Sequence, residues 1–156
     1  MYTQMDLMSP FIQRALPRAL SLSLLLLSCQ PPSPPEQIPL RGVSERGLFE
    51  VEVSINPSPI PLNQPFELDV LVTAEGAPPE PEESWTVRVE GWMPGHGHGM
   101  LRQAEVDDFG DGRFRVRGML FHMPGEWELR VLVIETRIEE EFRIVENDKV
   151  SLKVSL

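Results

Sequence analysis

The sequence predicts an all-β chain folded as two packed antiparallel sheets, and three observations carry that reading. From residue 48 onward, apolar side chains recur at every second position. The runs are short and are broken by Pro, Gly and Asp. Beyond the N-terminal segment no window carries a helical stripe. At 156 residues the chain has length for one domain and falls short of two.

Each strand follows from its alternation. Phe49, Val51, Val53 and Ile55 alternate with Glu50, Glu52 and Ser54. Phe66, Leu68, Val70 and Val72 alternate with Glu67 and Asp69, with Leu71 as a misfit. Trp85, Val87 and Val89 alternate with Thr86, Arg88 and Glu90, and a returning strand is expected over roughly 100 to 107. "DDFGDG" (107–112) is a hairpin turn, because Asp-Gly accepts positive φ. A calcium loop on Asp107, Asp108 and Asp111 is the lesser reading, since the EF-hand spacing is missing. Phe114 and Val116 alternate with arginines, then Trp127, Leu129, Val131 and Val133 with Glu126, Glu128 and Arg130. A less regular strand near 140–145 precedes a last one on Val150, Leu152, Val154 and Leu156. Seven or eight such strands make an immunoglobulin-like sandwich by size, without the Cys–Trp–Cys signature of antibody domains.

The segment ahead of the domain is of another kind. Arg14 and Arg18 precede the apolar run "ALSLSLLLLS" (19–28), as in a secretory signal. That run is shorter than the roughly 20 apolar residues a bilayer span needs. It ends at Cys29, the one cysteine of the chain. Cys29 directly after Leu-Leu-Ser resembles the lipobox of bacterial lipoproteins, which implies cleavage before it and lipidation on it. Residues 1–28 are then a signal peptide, 29–44 a Pro-rich tether and 45–156 the sandwich. "QPPSPPEQIPL" (30–40) favours polyproline II and makes a semi-rigid spacer. The expected setting is the cell envelope, with the membrane reached through the lipid anchor. Gln30 after Cys29 resembles the outer-membrane sorting pattern of Gram-negative cells, facing the periplasm. With 24 acidic against 14 basic residues the chain lacks a nucleic-acid footprint.

Chemistry concentrates in two segments, "GWMPGHGHGM" (91–100) and "FHMPGEW" (121–127). They hold all three histidines, His96, His98 and His122. Three of the four methionines beyond residue 8 fall there too, namely Met93, Met100 and Met123, and Met119 lies between them. Consecutive antiparallel connections alternate ends, so both segments are expected at one end of the sandwich. Imidazole with thioether suits Cu(I), while imidazole also suits Cu(II) and Zn(II). Glycines at 95, 97 and 99 let the loop wrap an ion, and Trp92 and Trp127 are placed to cover a cation. A packing reading stands beside this one. Met-Pro-Gly is a turn in its own right, Met93 continues the inward parity of Val87 and Val89, and both tryptophans suit a core.

"GWMPGHGHGM" followed by "DFGDGRFRVRGMLFHMPGEWELRVLV" resembles the YtkA-like domain family. Its members carry Met-Pro-x-His-x-His-Gly, a Gly-rich turn, and then a strand leading to Met-x-Gly-x-Trp. The resemblance spans roughly 45 to 145. It implies a small extracytoplasmic immunoglobulin-like sandwich, often membrane-anchored, with a copper-handling role. Met93, His96, His98 and Met123 fall on the motif positions; His122 and Met100 lie next to them. The expected function is therefore a lipid-anchored copper-binding module, Cu(I) favoured, with a metal-delivery protein as partner. The competing expectation is a non-catalytic structural or interaction sandwich without metal. No catalytic activity is expected, because no Ser or Cys has a nucleophile setting and no carboxylate is placed with the histidines.

Overall fold

A computed structural model describes residues 38–81 and 83–156. The signal segment, Cys29 and the first part of the tether lie outside them. The described residues form nine strands: β1 (Leu40–Val43), β2 (Glu50–Asn56), β3 (Phe66–Thr73), β4 (Glu83–Met93), β5 (His98–Gly99), β6 (Glu105–Asp108), β7 (Arg113–Met119), β8 (Glu126–Glu139) and β9 (Phe142–Ser155). They build two antiparallel sheets, β1-β2-β3-β7-β6 and β5-β4-β8-β9. The all-β sandwich read from the period-two pattern is the observed architecture.

Register converts the pattern into a core. Residues directly opposite in an antiparallel pair point to the same face. In the first sheet Val51 stands opposite Val72, Val53 opposite Val70, and Val70 opposite Phe114. In the second, Val89 stands opposite Val131, which stands opposite Val150. All of these side chains are buried, and Val53, Val72, Val131 and Val133 are fully so. Each contributes about 1.5–3 kcal/mol of transfer free energy on burial. The outward rows carry charge in cross-strand pairs such as Arg115–Asp69 at 2.9 Å and Arg117–Asp107 at 2.8 Å. Exposed pairs of this kind add at most about 1 kcal/mol each and chiefly keep the faces polar.

Two details differ from the sequence expectation, and a third agrees with it. The segment after Gly99 does not return as one strand over 100–107. It pairs with β4 only at His98 and Gly99, then crosses to the other sheet, where β6 pairs with β7. The strands expected near 140–145 and 150–156 are one 14-residue strand, β9. Its alternation looks broken because Asp148 occupies an inward position, in line with Val150 and Leu152. "DDFGDG" is a hairpin turn whose carboxylates are committed locally. Asp108 accepts the Gly110 N–H at 2.8 Å, Asp111 accepts Arg113 Nε at 2.7 Å, and Asp107 pairs with Arg117.

Asp148 explains its own exception. It is 4% exposed and ties β9 to the loop between β1 and β2. Its carboxylate accepts the backbone N–H of Arg46 at 2.8 Å and of Lys149 at 2.9 Å. Burial pushes the carboxyl up, but hydrogen bonds from the Ser44 hydroxyl and from the N–H groups of Lys149, Arg46 and Leu48 outweigh it. The net result lies below the ordinary 3.8. A carboxyl held below its unfolded-state pKa adds stability that is fully present above that value. The contribution is lost as pH falls through the folded pKa. Asp148→Asn is therefore expected to cost about 1–3 kcal/mol near neutral pH, the range for unsatisfied buried hydrogen-bonding groups. The deficit should shrink in strong acid, where the wild-type carboxyl is also neutral. Urea midpoints at the two pH values read this directly; a deficit independent of pH would show that the charge plays no part.

Candidate metal centre

The first half of the site is a tight hairpin. Met93 stands opposite His98 and Trp92 opposite Gly99, leaving residues 94–97 as the loop. Met93 O accepts the N–H groups of His96 at 3.1 Å and Gly97 at 2.9 Å, and Gly97 takes φ +68°. Glycine tolerates that left-handed geometry without steric penalty. The pairing decides which way the imidazole faces. Met93 points inward and is 3% exposed, so His98 faces the same side and Trp92 faces the other. His96, at the loop tip, is exposed.

The second half depends on a bulge. Phe66 stands opposite Met119 while Leu68 stands opposite Val116, so Arg117 and Gly118 together face Glu67. Gly118 adopts φ +76°, a left-handed conformation that glycine takes without steric penalty. The extra residue flips the parity of everything after it. Phe114 and Val116 point inward before the bulge, Met119 and Phe121 after it. Without it, His122 would take a core position. With it, Phe121 goes into the core and His122 sits half-buried at the end of the sandwich.

The two halves meet. The His98 and His122 rings stack at 5.4 Å between centroids and 28° between planes, and His96 lies 5.7 Å from His98. Beneath them Phe121 stacks on Trp127 at 4.3 Å, with Phe66 edge-on to Phe121 at 5.0 Å. Trp127 also presents edge-to-face contacts to His122 at 5.5 Å and His98 at 6.5 Å. This aromatic floor fits because position 91 is glycine: a Cβ there would overlap the Phe121 ring.

Polar contacts distinguish two of the three imidazoles. His98 Nδ1 lies 3.2 Å from the Gly99 carbonyl. A carbonyl only accepts, so Nδ1 is the N–H of that contact and the Nε2 lone pair is left for a ligand. Metal-bound histidines are commonly oriented this way. His122 Nδ1 is buried and meets no hydrogen-bond partner among the described residues. A buried ring nitrogen without a partner is costly in a merely structural role.

The methionines divide. Met123 is half-buried against the core, and its carbonyl accepts Trp127 Nε1–H at 2.9 Å. Met93 lies in the core, and its terminal methyl fills the space above Gly125. The Met100 sulfur accepts the Leu120 N–H at 3.5 Å and packs against Gly91. Met93 and Met100 thus have packing roles of their own, whereas Met123 adjoins His122 on the second segment. Of the two tryptophans expected to cover a cation, Trp127 flanks the histidines. Trp92 faces outward, and the cation over it is Arg130, 4.6 Å from the ring centroid. Sequence reasoning passed over Gly91, Gly118 and Phe121. Glycine inside a strand marks a close approach or a bulge, and that signal was available for the first two.

The donor chemistry fits a soft or borderline ion, with two imidazoles that have unspent nitrogens, a third at the loop tip and a thioether. Such an ion would be held by His98, His122, His96 and Met123. The rings form a row rather than a cage. Among the described residues no three His, Cys, Asp or Glu side chains converge as a ligand set.

A small two-sheet antiparallel sandwich with His/Met-bearing turns gathered at one end defines the class of this protein. The YtkA-like family matches residues 45–132, more than half of the chain, and the chain belongs to that family. The matched stretch contains both Met-Pro-Gly turns and ends within β8. No curated protein and no solved structure matches the chain.

Proposed function

We propose that this protein is a non-catalytic, lipid-anchored metal-binding module of the cell envelope that handles copper at the His/Met end of its sandwich. One observation carries the reading. The chain's three histidines, from segments some 25 residues apart, gather in one row in which His122 Nδ1 is buried without a hydrogen-bond partner among the described residues. A row of imidazoles on an aromatic floor, with no cysteine among the described residues, suits an oxidising compartment where a thiol would be lost to oxidation. Lipidation at Cys29, the outer-membrane setting and a delivery partner follow from the N-terminal reading and the family resemblance.

Titration of the full chain with Cu(I), Cu(II) and Zn(II) tests this. The expected result is one saturable equivalent, with Cu(I) held most tightly. A chain binding copper no better than a generic acidic surface would overturn the reading. The rival, an interaction module without metal, is favoured by the absence of a converged ligand set among the described residues. It predicts no stoichiometric binding of any of the three ions.

A further inference from the structure

The outer face of the second sheet carries a groove of about 680 Å³. Trp92, Arg130 and Leu132 form its floor. Leu132 stands opposite Arg88 on one side and opposite Lys149 on the other. The crossover after β5 walls one flank, where Leu101 is 84% exposed. Because Trp92 alternates with Met93, the groove faces away from the histidine row.

Its charge runs against that of the molecule. Arg88, Arg102, Arg130 and Lys149 line it against one carboxylate, Glu90, in a chain where acidic residues outnumber basic ones 24 to 14. Two of these cations are committed. Arg130 binds Glu128 at 3.0 Å and lies over Trp92, and Lys149 pairs with Glu45 at 3.0 Å. Arg88 and Arg102 are exposed and have no ion-pair partner among the described residues.

We infer that this groove binds a small amphipathic carboxylate, its head between Arg88 and Arg102 and its apolar body over Leu132 and Leu101. Guanidinium groups match a carboxylate geometrically and electrostatically. The apolar floor rewards a body that an inorganic anion lacks. The volume lies within the roughly 300–1,000 Å³ of small-molecule sites. Net charge of −10 also separates a small acid from an acidic protein segment. A polyanionic partner meets the repulsion of the whole molecule, while a monoanion is dominated by the nearby arginines.

Octanoate titration of the full chain, read by tryptophan emission, tests the assignment. Trp85 and Trp127 are 4% and 1% exposed, so a ligand-dependent change reports Trp92. Saturable binding with a midpoint on the order of 1 mM or tighter is expected. Octanol should bind at least about tenfold more weakly, and octanoate should lose a similar factor in Arg88→Gln/Arg102→Gln. His96→Ala/His98→Ala should leave the titration unchanged. Both arginines are exposed, so the variant keeps the fold, and the comparison of octanoate with octanol stands without it. Absence of saturation, equal binding of octanol, or full binding in the arginine variant would each overturn the proposal. So would an acidic peptide that binds more tightly than octanoate.

Discussion

Val131→Glu is expected to leave the domain unfolded. Val131 is fully buried at the middle of the second sheet, between Val89 on β4 and Val150 on β9. A carboxylate there meets only hydrocarbon, and an uncompensated buried charge costs about 3–5 kcal/mol. A domain of this size has about 5–15 kcal/mol in total, and the substitution also forfeits the packing of the valine. The neighbouring Leu132 points the opposite way, into the outer groove. Leu132→Glu should therefore cost about 1 kcal/mol or less. Far-UV circular dichroism and urea unfolding of the two variants separate them. If both tolerate glutamate equally, the inward parity assigned to β8 is wrong.

That contrast between adjacent positions also marks how much of the fold was legible. Strands whose outward residues are charged and whose inward residues are Val, Leu or Phe declare their faces, and β2, β3, β4 and β8 lie where the alternation puts them. Alternation stops being informative where an inward position serves something other than hydrocarbon. Asp148 answers the backbone of the β1–β2 loop, which lies 102 residues away for Arg46, so β9 read as two strands. Gly118 inserts one residue and flips the face of all that follows. Period-two reasoning alone would have sent His122 inward and Phe121 out. The crossover after Gly99 was illegible for a related reason: a change of sheet leaves no period of its own.

The site was legible as composition and only in part as geometry. Two Met-Pro-Gly turns with three histidines announced themselves, and the alternation of hairpin ends pointed to a shared end. What the sequence withheld was which donors the fold had already used. Met93 and Met100 have the same side chain as Met123, yet one fills the space above Gly125 and the other accepts a backbone N–H. Trp92 differs from Trp127 by facing the other side of its sheet, a consequence of its pairing with Gly99.

The strongest test of the metal reading is a pair of changes on opposite segments. Removing His98, with His96, from the β4–β5 hairpin should weaken Cu(I) binding by at least about tenfold, or about 1.4 kcal/mol. His122→Gln together with Met123→Leu on the β7–β8 connection should do the same. Leucine keeps most of the methionine volume, and glutamine keeps a polar side chain at the half-buried position. Losses there then report ligation more than packing. If both segments hold one ion, the combined variant loses less than the sum, with a coupling of about 0.5–3 kcal/mol. Two independent surface chelates predict strict additivity, and a flexible His-Gly-His chelate predicts no loss from the second segment. The stacking of His98 on His122 at 5.4 Å favours coupling even without metal, because removing either ring exposes the other. Unfolding stability of the metal-free variants must therefore be run through the same cycle. Coupling in metal affinity that exceeds the coupling in stability is what a shared ion produces, and what ring stacking alone does not.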